Sequence, residues 1–190
     1  ADAVIVDGVR AGAVSLASGG RVAVWLGNFA IQHGNASDIH LLAHEISRVS
    51  GARFGFLGEA ANSVGGYLAG AVPFGKLKGK NASEMLSTAL KAYLLLNVEP
   101  ELDCASGFAA VETIAKADMV AVFSAFKSKA ALDYADVLLP ISPFTETAGT
   151  FVNCEGRAQS FYPVVKSLGD SRPGWKVIRV LGEMLGLAGF

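Results

Sequence analysis

The sequence predicts an α/β fold, a three-layer α/β/α arrangement around a five-stranded parallel sheet, and three observations carry that expectation. Val22-Ala23-Val24-Trp25-Leu26, Ala92-Tyr93-Leu94-Leu95-Leu96 and Met119-Val120-Ala121-Val122-Phe123 are unbroken apolar runs of strand length. Strands covered on both faces read that way, without polar alternation. Capped segments of helical spacing stand between them, and strand–helix–strand alternation builds parallel sheets through right-handed crossovers. The composition, 52% hydrophobic and 17% charged over 190 residues, suits a chain with both sheet faces covered or with surface reserved for a neighbour. A single α/β domain over residues 1–190 is the expected organisation, since two would be cramped in this length.

Residues 1–20 are rich in Ala, Val and Gly and allow a short helix up to Ala17, with Gly19-Gly20 as a breaker. The first strand, Val22–Leu26, turns at Gly27-Asn28. Asn35, Ser37 and Asp38 are N-cap candidates for a helix whose Ile39, Leu42, Ile46 and Val49 make one apolar stripe. Gly51 stands where a left-handed cap ends it, and Arg53–Leu57 is the second strand. Small residues up to Gly70, then Pro73 and Lys76, Lys78 and Lys80, mark an irregular excursion. It allows a short helix near Val64–Ala69 and a helical turn capped by Ser83. The third strand, Ala92–Leu96, precedes Asn97-Val98-Glu99-Pro100, and Ser106 caps a helix through Phe108, Val111 and Ile114. Met119–Phe123 and Asp136–Leu139 are the fourth and fifth strands, with a brief helix opened by Ser128 between them. Pro140, lacking an N–H, is expected to end the fifth. Pro173 opens a closing helix that packs through Trp175, Ile178, Leu181 and Leu185 and stops at Gly186.

Composition also excludes functions. A net charge of −1 leaves no electrostatic footprint for nucleic acid or an anionic membrane. No apolar run approaches the ~20 residues of a membrane span. The amino end has no basic n-region of a signal peptide and no initiator methionine, so an excised interior segment is expected. Cys104 and Cys154 form no C-x-x-C pair and read as free thiols, not as zinc or iron–sulphur ligands.

Several motifs dissolve on inspection. Gly70-Ala71-Val72-Pro73-Phe74-Gly75-Lys76 matches seven positions of a P-loop, but Leu77 replaces the Mg²⁺-binding hydroxyl and Pro73 removes a phosphate-binding N–H. His40 and His44, one turn apart beside Glu45, lack the H-E-x-x-H order and a third ligand, so a solvated helix face is expected. His33 is expected to bond within its own turn. No G-x-S-x-G elbow occurs, and Cys154 has no identifiable histidine base. Glu146 and Glu155, with Arg157, read as a buried salt-bridge network, so removing Arg157 is expected to cost about 3–5 kcal/mol.

The densest signals lie past the fifth strand, where functional contacts gather in open α/β sheets. They are Ala135-Asp136-Val137-Leu138-Leu139-Pro140, then Glu146, Gly149-Thr150, Asn153 and Glu155-Gly156-Arg157. This run resembles the closing signature of the molybdopterin oxidoreductase superfamily. Within it, Val24-Trp25-Leu26-Gly27-Asn28 with His33, and Glu59-Ala60-Ala61-Asn62-Ser63-Val64-Gly65-Gly66, are similar to the large iron–sulphur subunit of bacterial NADH:quinone oxidoreductase, respiratory complex I. The resemblance runs from about Gly20 to Leu187.

The resemblance implies strand order 3-2-1-4-5, as in formate dehydrogenase and DMSO reductase domains. It implies a structural domain of an enzyme that passes electrons from NADH to quinone, with no catalytic residue, cofactor or metal in this segment. Iron–sulphur clusters would lie in a missing amino-terminal part, and the partners would be other subunits of the complex I peripheral arm. Nucleic acid and direct membrane insertion are not implied, and the location would be peripheral, on the cytoplasmic side of the bacterial inner membrane. Glu146, Gly149, Glu155, Gly156 and Arg157 would be structural, while Gly27, Asn28, Asn97 and Asn153 would mark a vestigial cofactor pocket. Molybdenum-bearing relatives carry a Gly-x-Asn-Pro-like turn where this chain has Leu96 to Pro100. Leucine there crowds the approach of a pyrophosphate and Glu99 repels it. The alternative is a live molybdopterin-guanine-dinucleotide-binding domain of a formate-dehydrogenase-like oxidoreductase, with the same four residues lining its pocket.

Overall fold

Parallel strand pairs organise the chain in the computed structural model, which describes residues 3–73 and 79–189. Two units separate, Ala1–Ala69 with Phe151–Ala158, and Gly70–Thr150 with Gln159–Phe190.

The first unit runs α1 (Ala3–Ser18), β1 (Ala23–Leu26), α2 (Asn28–Ile31), α3 (Ala36–Ser50), β2 (Arg53–Phe56) and α4 (Ser63–Leu68). β1 and β2 pair parallel, with Trp25 opposite Gly55. A Cβ on Gly55 would meet the Trp25 ring at 3.3 Å, so the glycine makes room for the indole. Gly51, left-handed at φ 70, ends α3 as expected. The packed face of α3 is not the expected stripe: Leu42, Ile46 and Val49 are 64%, 46% and 71% exposed, while Ala43 and Ser47 are buried. Small residues let the helix approach closely, and His40 stacks on Phe54 with ring centroids 5.3 Å apart. His40 also meets Phe56 edge-on at 5.2 Å, and His44 meets Phe54 edge-on at 5.8 Å. Both histidines are exposed, as the solvated face expected for them requires, while one side of each ring rests against β2. The Ser47 hydroxyl closes the crossover by donating to the carbonyl of Ala52.

The second unit begins with α5 (Ala82–Ser87), β3 (Ala92–Leu96), α6 (Pro100–Asp103) and α7 (Gly107–Ile114). It continues with β4 (Met119–Ser124), α8 (Lys129–Tyr134) and β5 (Val137–Ser142). The hairpin strands β6 (Gly149–Val152) and β7 (Ala158–Phe161) follow in sequence, with Phe151–Ala158 counted in the first unit, then β8 (Arg172–Pro173) and α9 (Gly174–Met184). α5 is capped by Asn81 rather than Ser83, through a reciprocal capping box with Glu84. Ser128 caps α8, its side chain accepting from Ala131 N–H.

The implied order 3-2-1-4-5 puts β3 beside β2. Instead β3 pairs parallel with β4 along its whole length, Ala92 opposite Met119 through Leu96 opposite Phe123. The observed order in this unit is β3-β4-β5-β8, and among the described residues β1 pairs only with β2. The short α6–α7 crossover returns the chain to the neighbouring position. There Tyr93 and Leu95 share a buried cluster with Ile114, Val120, Val122, Ala131 and Tyr134. On the other face Ala121, Phe123 and Ile141 pack against Val177 and Leu181 of α9. β5 continues through Pro140, contrary to expectation. Pro140 lies opposite Ser124, the last residue of β4, so only a terminal rung is lost. The P-loop-like stretch and the lysine loop extend into residues 74–78, outside the described residues.

Candidate functional site

At the carboxyl end of β1 the chain makes a tight polar corner. Gly27 accepts through its carbonyl from the N–H groups of Ala30 and Ile31, at 3.0 and 3.1 Å, and so starts α2. His33 Nδ1 accepts from Asn35 N–H at 3.0 Å, the expected bond within its turn. That bond places the imidazole proton on Nε2, which is left as a donor. Gln32 Nε2 donates to Glu59 Oε2 at 2.7 Å. Asn28, Phe29, Gln32, His33, Gly34 and Glu59 line a cavity of about 470 Å³. Amide, imidazole N–H and carboxylate groups are thus gathered beside Phe29, which is 98% exposed. Among the described residues no lysine or arginine lines this cavity, and Glu59 repels anions. Such a wall suits a flat, uncharged heteroaromatic ring and is unsuited to phosphate.

The hairpin loop, also in the first unit, is built around Asn153. Its Oδ1 accepts from the N–H groups of Glu155 and Arg157 at 3.0 and 2.9 Å. Asn153 N–H donates to the Arg157 carbonyl at 3.1 Å, and Gly156, at φ 80, donates back to the Asn153 carbonyl at 2.9 Å. Only a residue tolerant of the left-handed region closes this turn without strain. Arg157 and Glu155 are exposed, and among the described residues no ion pair joins them. The expected buried network is therefore corrected, because backbone bonds to Asn153 hold the loop without charge pairing. Asn62 anchors the same loop: its Oδ1 accepts from Val152 N–H at 2.8 Å. A Cβ on Gly65 would lie 2.0 Å from that oxygen, which explains the Asn-x-x-Gly spacing.

The remaining signature residues lie in the second unit. Asp136 Oδ2 accepts from Val120 N–H at 2.7 Å while its own N–H donates to the Val120 carbonyl at 2.9 Å, locking β5 to β4. Glu146 Oε2 accepts from Leu168 N–H at 3.0 Å. A Cβ on Gly149 would meet the Phe161 ring at 2.6 Å, so the ring lies over the glycine. Asn97 is left-handed at φ 51, alone among the described non-glycine residues. Its N–H donates to the Phe123 carbonyl at 2.9 Å.

Of the four pocket candidates, Asn28 lines the first-unit cavity, with Gly27 starting the turn that carries it. Asn153 has its side-chain oxygen committed to its own loop, and Asn97 belongs to the other unit. Sequence reasoning missed Phe29, Gln32, Gly34 and Glu59 as cavity residues, although Glu59 opens the Glu59–Gly66 motif. Among the described residues no group of three or more His, Cys, Asp or Glu could hold a metal ion. Among them, no helix is long and apolar enough to cross a membrane.

Comparison with known proteins adds a family. The model of the family described as Molybdopterin oxidoreductase matches residues 11–184. A provisionally named formate dehydrogenase of Staphylococcus aureus strain USA300 is 49% identical over 53 residues, 28% of this chain and 5% of that protein. One from strain MRSA252 is 50% identical over 52 residues, 27% of this chain and 5% of that protein. The match thus spans a small fraction of these relatives' length.

Proposed function

This chain belongs to the molybdopterin oxidoreductase family, and on that premise we propose that it is a cofactor-holding segment of a formate-dehydrogenase-like oxidoreductase. The observation that carries the proposal is the first-unit cavity at the end of β1, whose polar groups fit a pterin or guanine ring. Such rings present adjacent N–H donors along one edge, and a carboxylate is the side chain that accepts from them. Glu59 would do so, held in place by the 2.7 Å bond from Gln32. The Nε2–H of His33 and the amide of Asn28 would meet ring carbonyl and nitrogen acceptors, and Phe29 would supply a stacking face. Among the described residues the wall holds an acid and no cation, which suits a ring of the dinucleotide better than its pyrophosphate. When bound, the group supplies two-electron redox chemistry at its metal. The relatives' names support the formate-dehydrogenase reading.

The test is the molybdenum and guanine-nucleotide content of the purified full-length protein after denaturation. Near-stoichiometric amounts are expected. Glu59→Ala, an exposed change, should lower retained nucleotide by about tenfold, the loss of one charge-assisted hydrogen bond pair. A full-length protein with neither molybdenum nor nucleotide would reject the proposal. It would favour the second reading, a cofactor-free domain of the large iron–sulphur subunit of complex I, bracing the peripheral arm. The feature favouring that reading is the Ala60-Ala61-Asn62-Ser63-Val64-Gly65-Gly66 segment. Its Asn62 and Gly65 serve a local tether that either protein could use.

A further inference from the structure

We propose that α3 carries a docking surface for the α1 helix of a second copy of this chain, so that two copies exchange arms. The contact owes nothing to the cavity at the end of β1. Two apolar helix faces of the first unit lie largely exposed. On α3, Ile39, Leu42, Ile46 and Val49 recur at the three-four-three spacing by which one helix packs along another. Leu42, Ile46 and Val49 are exposed because the helix meets its own sheet through Ala43 and Ser47. Those two stand about a quarter turn round the helix from the stripe, so α3 can serve sheet and partner together. On α1, none of the residues is buried, and Val6, Val9, Ala13 and Leu16 repeat the same spacing. Its charged residues are Asp7 and Arg10 alone, and a helix apolar round most of its surface belongs against other protein.

The two stripes match in a parallel register: Leu16 meets Val49, Ala13 meets Ile46 and Val9 meets Leu42. That register brings Arg10 to the flank of the seam beside Asp38 in the first turn of α3, opposite charges where a parallel pair places its bridging residues. Arg10 is paired within its own helix to Asp7 at 3.6 Å, an exposed contact that contributes little and yields readily. Glu45 stays with Arg48, so no like charges are forced together. The arm comes from a second copy because its exit from its own chain is fixed. The Val22 carbonyl accepts from Arg53 N–H at 3.0 Å, which anchors the start of β1, and Gly19 has no room for a side chain against Val22 Cγ1. In that geometry α1 leaves its own α3 stripe bare. A stable interface buries about 1,200 Å² or more. One seam of about 15 Å is short for that, and two-fold exchange supplies two.

The experiment is sedimentation of the full-length protein from about one to about 100 micromolar, where the mass should double. Leu42→Glu puts a carboxylate into the seam and should raise the dissociation constant at least about tenfold. Its site is exposed in the single copy, so the melting temperature at the lowest concentration should stay in place. A cross-link separates exchange from an arm folding back on its own chain. Ala13→Cys in one preparation, mixed with Ile46→Cys in another under a mild thiol oxidant, should give a covalent dimer whose 13–46 disulfide is read by mass spectrometry. Ala11→Cys, on the far side of α1, should give little. A monomer at every concentration, a dimer that Leu42→Glu leaves intact, or equal cross-linking from Ala11→Cys would each overturn the proposal. So would a 13–46 disulfide that forms only within one chain of the double variant.

Discussion

Substituting Gly65 by alanine has an effect whose sign depends on a residue three positions earlier. In the native protein the new Cβ would lie 2.0 Å from Asn62 Oδ1, 2.7 Å from Cγ and 3.0 Å from Nδ2, so the asparagine side chain must leave. Its departure breaks the 2.8 Å bond to Val152 N–H, which ties the hairpin loop to the start of α4. Losing that bond at a half-buried donor costs about 1–3 kcal/mol. The gain from replacing glycine within a helix offsets about 1 kcal/mol of it. Gly65→Ala alone should therefore be neutral to about 2 kcal/mol destabilising at the loop. In an Asn62→Ala background the bond is already gone and the space is open. There Gly65→Ala should stabilise by about 0.5–1 kcal/mol. The coupling between the two changes should be about 1–3 kcal/mol, at the upper end for contacting residues. Amide exchange at Val152 reads the local opening directly, about tenfold in rate for each 1.4 kcal/mol. If Gly65→Ala has the same effect in both backgrounds, or leaves Val152 exchange untouched, the tether is not what the glycine serves.

Three further predictions follow from single contacts. Gly107→Ala should destabilise the second unit by about 1–3 kcal/mol in thermal or denaturant unfolding, because its Cβ would meet the Glu101 carbonyl oxygen at 2.4 Å and backbone cannot swing aside. Arg157→Ala should change stability by less than about 0.5 kcal/mol in the same assay, since the guanidinium is exposed and the loop is closed by Asn153. Tyr134 is pushed from its ordinary 10.0 up to about 12, by burial first and then by the carboxylate of Glu101, which its hydroxyl faces at 3.3 Å. The folded state thus holds the phenol neutral while the unfolded chain ionises. Stability from this group is complete below pH 10 and should fall as pH rises from about 10 to about 12. Tyr134→Phe should flatten that part of an alkaline unfolding curve, and an unchanged curve would show that Tyr134 is not responsible.

Strands were legible because a parallel strand buried on both faces advertises itself as an apolar run, and β3 and β4 fall where those runs lie. Gly51 and Ser128 were legible because each does a local job that its chemistry dictates. Strand order was not, since pairing is a choice among neighbours with similar edges. The face of α3 misled for a different reason: periodicity scored Leu42, Ile46 and Val49 as apolar, but the small Ala43 and Ser47 make the close approach, with the rings of His40 and His44 beside them on Phe54. The first cavity was half legible. Gly27-Asn28 was marked by the strand end, whereas Glu59 reaches it only through a bond to Gln32, 27 positions away. Arg157 was misread because a charge between two acids in sequence invites pairing, while the fold meets the loop's needs with the backbone.

The expectation of a retired pocket rested on the Leu96 Cβ crowding a pyrophosphate and on Glu99 repelling it. The backbone conformation that favours glycine falls one residue later. It is Asn97 that turns left-handed, at φ 51, at the carboxyl end of β3. Asparagine enters that region more readily than other side chains, because its short amide can bond locally. A chain with asparagine at that position makes the turn without a glycine at Leu96, while the leucine Cβ still narrows the approach of a phosphate. The carboxylate of Glu99 remains near that turn, but its backbone N–H is tied to Asp103 Oδ2 at 2.8 Å as part of the start of α6. That bond uses the backbone of Glu99 and not its carboxylate, which makes no capping bond at the start of α6. The Leu96 Cβ and the Glu99 carboxylate still weigh against a phosphate at this turn, so the live reading draws its support from the family match and the formate-dehydrogenase relatives, and nucleotide content tests it.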